Sequence, residues 1–488
     1  MNSERFLAKK FHFLGFSADP LYKFAHSGRG SDWGKSFRRA PAAEYAVWQP
    51  RRRDRYGGMA LAAAGPCTFS AQNIPAAGQA GQVGAEYGLR SMSGDDYTGA
   101  SILENLMSVK YLAASIALLF AAGSAPTLAQ VKIGVVTSAT GPTAMVGIPQ
   151  KNTVPLLPAK VGGLTVDYIS LDDASDPTQT VTAFKKLITE EKVDAFIGPT
   201  GSPNAMGVIQ FVAESGTPML APVGTASVVL PMTPEKKWVF KTTQNDDIIA
   251  KALVNHMTRN GVKTAGFIGF NDAYGENWLN VFTQLAQQNN IKLVAVERYQ
   301  RSDSSVTGQA LKILSAKPDA VLVAGTGTAA VLPQATLAKQ GYKGKFYQTH
   351  GAALPAFLKL GGKDVEGTIL AASLMLVLPE IDDANPSKKI AQDYVERYTK
   401  RYGEPPATFG ANVYDAGLLL EKAIPEAAKA GKPGTAEFRS ALRDALEKTR
   451  ELVATQGVYN MSPEDHSGFD DRGRELITVK DGQWRLVK

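Results

Sequence analysis

The distribution of hydrophobic and polar residues after position 130 divides the chain into short apolar runs and longer amphipathic stretches. The runs have the length of single strands, and the stretches carry apolar residues at the three- and four-residue spacing of a helix face. Regular alternation of the two predicts parallel sheets covered by helices on both faces. The predicted strands in this part are Val131–Val136, Leu164–Leu171, Ala195–Ile197, Pro218–Pro222, Thr264–Phe270, Lys292–Arg298, Ala320–Ala324 and Lys345–Gln348.

The alternation restarts after Asn245, which indicates two similar lobes of ordinary domain size. We expect residues 130–244 to form the first lobe and residues 245–372 the main part of the second. Three helices (Ser387–Tyr402, Phe409–Ala430, Thr435–Lys448) and three short candidate strands follow. These are too few for a third α/β domain, so residues 373–455 are expected to return to the first lobe and residues 456–488 to the second.

One stretch, Asp194–Gln210, has the form of an anion-binding corner. An apolar run ends at Ile197, a turn of Gly, Pro, Thr and Gly follows, and a helix is predicted to start at Ser202 and Pro203. Serine is a common N-cap, and proline already has the φ of a first helical residue. Because a helix start presents free N–H groups and a positive dipole end, the corner suits a carboxylate.

The composition is that of a globular protein with more than one domain. Of 488 residues, 44% are hydrophobic and 20% are charged. The formal net charge of +7 is uneven, because roughly half of the positive excess lies in residues 1–106. The remainder interleaves acidic and basic residues and has no electrostatic footprint for nucleic acid. Cys67 is the single cysteine, which excludes disulfides and cysteine-based sites from the rest of the chain.

Residues 107–129 have the pattern of a signal peptide. A positive charge at Lys110 precedes the apolar run Leu112–Ala122, which is too short for a bilayer span, and small residues lead up to Ala129. Cleavage after Ala129 would release an exported chain that begins at Gln130.

The preceding segment, residues 1–106, is rich in Arg, Gly, Ala and Ser and has no sustained periodicity. We expect it to be either a disordered extension or a mis-assigned upstream translation, with Met107 as the true start.

No catalytic, metal or cofactor site is predicted. His256, His350 and His466 lie far apart, and no nucleophile-elbow, P-loop or zinc motif accompanies them. Gly325 and Gly327 form only part of a dinucleotide loop. We therefore expect a protein that is not an enzyme and needs no cofactor. The pair Asp172-Asp173, at a strand end, allows a turn cap or a cation site, and the cap is the favoured interpretation.

Several segments, taken in order, resemble the leucine/isoleucine/valine-binding receptors of ABC transporters. They are IGVVTSATGP, DDASDPTQTVTAFKKLI, VDAFIGPTGSPNAMGV, GTPMLAPVGTAS and NDAYGE, and the resemblance covers Gln130–Lys488. It implies the type I periplasmic-binding fold, in which two doubly wound parallel-sheet lobes, joined by three crossovers, close on a ligand. It also implies a monomeric periplasmic receptor that serves an ABC permease of the inner membrane. The alternative is a ligand-sensing regulator of the same fold, against which the signal peptide argues.

The resemblance also implies a binding site between the lobes. Ser202 and Thr225, with the backbone of Val223, correspond to the positions that hold a ligand carboxylate on the first lobe. Tyr274 corresponds to the aromatic residue that the second lobe contributes, and Phe409 to a further aromatic residue of the site.

Three features depart from the family pattern. His350 replaces an acidic residue that often pairs with the ammonium of an amino acid, and Val146 stands where some receptors carry an aromatic. The segment Pro149–Pro158 allows only a short or kinked helix. Because an unpaired buried ammonium is costly, two ligand classes stay open. One is an aromatic or other organic acid without an α-ammonium, with His350 bonding its polar end. The other is an apolar amino acid, with His350 only stabilising its loop.

Overall fold

The computed structural model describes residues 130–487, which form two α/β lobes with one main sheet each. The segments expected to be an upstream extension (1–106) and a signal peptide (107–129) lie outside the described residues. None of the helices within residues 130–487 is long and apolar enough to cross a bilayer. The fold class predicted from the alternation of strands and helices is confirmed.

The first lobe contains a six-stranded sheet with a parallel centre. Its strands are Gln130–Thr137 (β1), Lys160–Val161 (β2), Leu164–Asp172 (β3), Ala195–Ile197 (β4), Met219–Ala221 (β5) and Val239–Lys241 (β6). Their order in space is β2-β3-β1-β4-β5-β6, and β2 at one edge is antiparallel to β3. The helices between them are Ala144–Thr153 (α1), Pro177–Lys186 (α2) and Ser202–Ser215 (α3).

The second lobe begins with Asp246–Arg259 (α4) and alternates through ten elements. Its strands are Thr264–Phe270 (β7), Lys292–Tyr299 (β8), Ala320–Ala324 (β9), Lys345–Gln348 (β10) and Ile369–Ala372 (β11). Its other helices are Ala273–Gln288 (α5), Thr307–Ala316 (α6), Val331–Lys339 (α7) and Pro355–Gly361 (α8).

The remaining chain completes both lobes. Pro386–Tyr402 (α9), Thr408–Ala427 (α10) and Ala436–Glu447 (α11) precede a two-stranded ribbon, Leu452–Val453 (β12) and Val458–Tyr459 (β13). Two strands, Glu475–Lys480 (β14) and Gln483–Leu486 (β15), then extend the second sheet, whose order is β15-β14-β11-β10-β9-β7-β8. Both strands pair in antiparallel fashion, so parallel pairing in that sheet is confined to the strands that come earlier in the sequence, β7 to β11.

The chain passes between the lobes three times, after β6, after β11 and before β14. After the second passage, α9 to α11 pack on the first lobe, where Tyr394, Val413 and Phe438 share a buried core with Val131 of β1. This arrangement places α10 beside the cleft between the lobes.

The third passage lies later than the expected boundary at residue 456. Tyr459 and Phe469 pack on each other with their ring centroids 4.2 Å apart, and both belong to the core of the first lobe. The carbonyl of His466 also accepts a hydrogen bond from Lys241 N at the end of β6. These contacts hold the chain on the first lobe until Phe469, and pairing with the second sheet begins at Glu475.

Local sequence explains why the elements start and end where they do. Asp176 accepts a hydrogen bond from Gln179 N at 2.8 Å and Pro177 follows it, so α2 starts with a side-chain cap and a preset φ. The proline-rich segment forms α1, a helix of ten residues that contains Pro149 and ends in a 3-10 turn. The expectation of a short helix there is confirmed.

Asp415 fastens α10 to the segment that follows β12. Its buried carboxylate accepts hydrogen bonds from Thr455 N at 2.9 Å, from Thr455 Oγ1 at 2.6 Å and from Gln456 Nε2 at 3.3 Å. Burial nevertheless raises the pKa of Asp415 to about 6. The folded protein therefore holds a proton that the unfolded chain releases near pH 4. The free energy of unfolding falls as pH rises wherever the native state binds more protons than the unfolded state. The contribution of Asp415 to that free energy is therefore lost as pH rises from about 4 to about 6.

Replacement of Asp415 by Asn should remove this loss. Over two pH units the wild-type protein should lose about 3 kcal/mol of unfolding free energy that the Asp415→Asn variant keeps. Urea unfolding at pH 4, 5, 6 and 7 measures the difference, and the exposed Asp167→Asn is the matched control. Parallel pH profiles for the wild type and both variants would contradict the raised pKa.

Candidate functional site

A cavity lies between the lobes, beyond the carboxyl ends of the central strands, where open α/β sheets bind ligands. About 420 Å³ of space in and at the mouth of this cavity is not filled by protein atoms. The first-lobe wall is formed by α1, the start of α3, the corner after β5 and the start of α10. The second-lobe wall follows four consecutive strands, β7 to β10.

The lobes contact each other across the cleft, so this is a closed arrangement. Ser227 of the first lobe donates a hydrogen bond from Oγ to Asn277 Oδ1 of α5 at 2.9 Å. The amide of Asn277 in turn donates to Asp246 Oδ2 at 2.6 Å. Asn277 of the second lobe thereby links the turn at Ser227 to Asp246, which follows the first passage between the lobes.

The predicted anion corner forms one wall of the cavity. Thr200, Gly201 and Ser202 line it, and Ser202 is only 4% exposed. Ser202 is the first residue of α3, and Gly201 rather than Ser202 is the N-cap. A Cβ at Gly201 would lie 2.5 Å from Asn204 Oδ1, so a larger residue there would displace the Asn204 amide. The first turn of α3, which has free N–H groups, and Ser202 are thus part of the wall of the same cavity.

The corner is held by hydrogen bonds to neighbouring segments. Thr200 Oγ1 accepts from Ser138 N at 2.9 Å and donates to Gln150 Oε1 at 2.6 Å. Asn204 Nδ2 donates to Asp173 Oδ2 at 3.0 Å. The corner is therefore preorganised by β1, α1 and β3.

The aspartate pair at the end of β3 is occupied by protein donors. Asp173 accepts hydrogen bonds from Ser138 Oγ at 2.6 Å and Thr180 Oγ1 at 2.9 Å, besides Asn204. Asp172 Oδ1 accepts from Ala139 N and Ala174 N, both at 2.9 Å. Both carboxylates cap loops, as in the favoured of the two interpretations.

The corner after β5 contributes backbone rather than a threonine side chain. Val223 and Gly224 line the cavity. Thr225 is fully buried, lies outside the lining, and accepts a hydrogen bond from Ser227 N at 3.3 Å. Its side chain caps the 3-10 turn that follows, and this local bond keeps Oγ1 out of the cavity wall.

Tyr274 lines the second-lobe wall at the start of α5. It is 3% exposed, and its hydroxyl donates to Thr349 Oγ1 at 2.8 Å. Burial raises the pKa of Tyr274 far above its usual value. The side chain is therefore a neutral phenol whose hydrogen is already donated, so a ligand meets its ring and an acceptor oxygen.

His350 follows β10 and lies against the opposite lobe. A Cβ at Gly224 would be 2.9 Å from His350 Nε2 and 3.0 Å from Asp246 Oδ1. Burial, and then the charge of Lys241, lowers the pKa of His350 to about 3. The imidazole is therefore neutral at physiological pH. Its Nδ1 lies 4.0 Å from Asp246 Oδ1, and neither atom has a hydrogen-bond partner among the described residues.

Lys241 and Asp246 are both fully buried behind Gly224. Lys241 Nζ donates to Gly224 O at 2.5 Å, Asn245 Oδ1 at 2.6 Å and Gln244 O at 3.3 Å. Burial lowers the pKa of Lys241 and raises the pKa of Asp246, and the charge of each partner opposes the shift of the other. The ammonium thus fastens the cavity corner to the first passage between the lobes.

Arg301 and Thr326 complete the second-lobe wall, and neither was predicted. Arg301 Nε donates to Asp272 Oδ2 at 2.6 Å, Nη1 donates to Thr326 Oγ1 at 2.9 Å, and the guanidinium lies 4.2 Å from the ring centroid of Phe270. Arg301 lies two residues after the end of β8, and Tyr274 lies four residues after the end of β7. The rule that ligands bind beyond strand ends would have selected it.

α10 brings two residues to the first-lobe wall. Phe409 is 7% exposed and packs with Val146 of α1 in one apolar cluster. Asn412, one helical turn further on, also lines the cavity. Residues three apart share a helix face. The predicted site position of Phe409 therefore also indicated Asn412 as a site residue, which the sequence analysis did not name.

The charge of the cavity lining is limited to one side chain, which is itself paired with Asp272 outside the lining. Among its described residues, Arg301 is the only charged side chain, because Tyr274 and His350 are neutral and no Asp or Glu contributes. Asp272 is engaged by Arg301, and Asp246 lies behind His350 and Gly224. Of the sequence-predicted residues, Ser202, Val223, Tyr274, His350 and Phe409 line this one cavity, and Thr225 does not.

The family model for periplasmic binding proteins matches residues 130–471. A Leu/Ile/Val-binding protein of Rhizobium johnstonii is 25% identical over 338 residues, which are 67% of this chain and 86% of the relative.

Two solved structures extend the comparison. An extracellular ligand-binding receptor of Rhodopseudomonas palustris HaA2 is 45% identical, with a TM-score of 0.72, over 73% of this chain and 99% of that one. An ABC-transporter solute-binding protein of R. palustris, solved with benzoate, is 22% identical, with a TM-score of 0.63, over 73% and 95%. The second likeness concerns the fold alone.

Proposed function

Because the chain belongs to the periplasmic binding protein family, as its resemblance to the leucine/isoleucine/valine-binding receptors predicted, we propose that it is a solute receptor for a small organic acid. The acid carries a carboxylate and no α-ammonium, and it binds in the cavity between the lobes. The observation that carries the proposal is the composition of the lining: its described residues include no carboxylate, and its one charged side chain, Arg301, is paired with Asp272 outside the lining.

The first lobe supplies the carboxylate end of the site. The start of α3 offers backbone N–H groups and the hydroxyl of Ser202, and the corner at Val223 and Gly224 offers further backbone. Helix starts of this kind bind carboxylates through N–H groups and the helix dipole together. Arg301 adds positive charge from the other lobe.

The second lobe gives an ammonium no partner. His350 is neutral, Asp272 is used by Arg301, and Asp246 is fully buried outside the lining. An ammonium brought into this cavity would lose its hydration without a compensating charge, which is strongly unfavourable. The relatives named after Leu, Ile and Val and the benzoate-bound neighbour represent the two ligand classes, and the lining favours the second.

The family and the predicted signal peptide indicate how the protein reaches the periplasm and passes on its ligand. We propose that residues 107–129 export the protein to the periplasm, where a monomer presents its closed, ligand-bound form to an ABC permease. Ligand that contacts both lobes favours the closed form by population shift.

Paired ligands that differ only in the ammonium test the proposal. Calorimetric titration and thermal unfolding should detect 4-methylpentanoate and 3-phenylpropanoate but not leucine and phenylalanine, and benzoate and succinate extend the acid series. At a hundredfold excess over Kd, a responding acid should stabilise the protein by about 2.7 kcal/mol.

Ser202→Ala should weaken every responding acid about tenfold, the scale of one hydrogen bond to a charged group. Tighter binding of leucine than of 4-methylpentanoate would overturn the choice of ligand class. Turnover of a bound acid would overturn the receptor function itself.

A further inference from the structure

The wall formed by α10 holds a polar group for which the protein provides no partner. Asn412 lines the cavity, is only 2% exposed, and its Oδ1 has no hydrogen-bond partner among residues 130–487. Buried side-chain amides are nearly always hydrogen-bonded, and an unbonded one is destabilising. The closed form therefore leaves one acceptor of this wall open to a group that binds in the cavity.

The geometry points to a hydroxyl group on the ligand: we propose that the acid bound here is a hydroxy acid and that Asn412 recognises its hydroxyl. This inference rests on the proposed organic-acid function. Oδ1 is an acceptor, so the ligand must bring a donor. A hydroxyl is a neutral donor and accepts as well, so it also satisfies the amide turned the other way.

Other ligand groups satisfy the site less well. An ammonium donates, but the lining offers it no carboxylate. A second carboxylate only accepts and would face the amide oxygen unfavourably. An apolar group leaves Oδ1 unbonded, and sites built for a polar group reject analogues that lack it. Phe409, on the same face of α10, contacts the apolar part of the ligand beside the hydroxyl.

Pairs of acids that differ by one hydroxyl test this assignment by calorimetric titration. The probes are 4-hydroxybenzoate and benzoate, 3-(4-hydroxyphenyl)propanoate and 3-phenylpropanoate, and 3-hydroxybutanoate and butanoate. In at least one pair, the wild-type protein should bind the hydroxylated acid about tenfold or more tightly than its partner.

Asn412→Leu should erase that preference. It should weaken the hydroxylated acid and leave the deoxy acid unchanged or tighter, while Asn280→Leu, at an exposed position of α5, keeps the wild-type preference. Asn412→Ala is the second variant should the leucine disturb packing.

Equal affinity of the wild-type protein for both members of every pair overturns the hydroxyl assignment. An equal loss for both members in each Asn412 variant also overturns it, because that result assigns Asn412 a purely structural role. In both cases the organic-acid function stands. Binding of leucine or phenylalanine in place of all six acids overturns the organic-acid function and the hydroxyl assignment together.

Discussion

Replacement of Gly224 by Val is expected to prevent closure and to weaken binding of the best probe acid about 100-fold. A Cβ at this position would already lie 2.9 Å from His350 Nε2 and 3.0 Å from Asp246 Oδ1. Two further methyl groups would force the lobes apart, and overpacking on this scale costs about 3 kcal/mol, which corresponds to about 100-fold in affinity. Gly224→Ala should have an intermediate effect, about tenfold.

The effect should come from the contact between lobes and not from the local backbone. The φ of Gly224 lies outside the left-handed region, so a side chain is compatible with its conformation. Gly207 on α3 is the matched control, because a Cβ there meets nothing within 4 Å. Gly207→Val should bind normally, and small-angle scattering should find only the Gly224 variant extended in the presence of ligand. Unchanged affinity in Gly224→Val would contradict the closed arrangement.

Replacement of Lys241 by Met is expected to destabilise the protein by about 3–5 kcal/mol, the scale expected when two buried acceptors lose a charged donor. The methionine fills the same space but leaves Gly224 O and Asn245 Oδ1 without their donor. It also leaves the buried carboxylate of Asp246 without a neighbouring positive charge. Urea unfolding of the ligand-free protein measures the loss.

Two comparisons identify the cause of that loss. Lys429→Met removes an exposed lysine with a surface partner, Glu426, and should change stability by less than about 0.5 kcal/mol. The double variant Lys241→Met/Asp246→Asn should recover part of the loss, because it removes the uncompensated charge. Strictly additive effects would show that the two charges do not interact.

The strands whose first and last residues were predicted correctly are short apolar runs between turn residues. β4, β7, β9 and β10 have the limits that the sequence indicated. β6 and β11 were not predicted. β6 has only three residues and ends in a buried lysine, which a hydrophobic pattern excludes, and its partner is fixed by the parallel pairing with β5. Such strands depend on the sheet that receives them.

The site residues that could be predicted are those whose position depends only on neighbouring residues in the sequence. The anion corner and Tyr274 lie at strand ends that the pattern located. Prediction of Arg301 and Asn412 as site residues would have required knowing which strand ends and which helix face line the cavity. Thr225 lies in the predicted corner, but its side chain bonds to its own turn. Sequence therefore locates a corner more readily than it tells where a side chain in that corner points.

The cavity draws on three segments of the chain, which the first two passages between the lobes separate. Ser202 precedes the first passage, Tyr274 and His350 lie between the two, and Phe409 and Asn412 follow the second. A chain interrupted before α10 lacks part of the first-lobe wall, even if its strands have formed. Ligand stabilises only states that bind it. The acid therefore cannot act as a template for early folding intermediates, and its stabilising effect is confined to molecules that have been completed beyond Asn412.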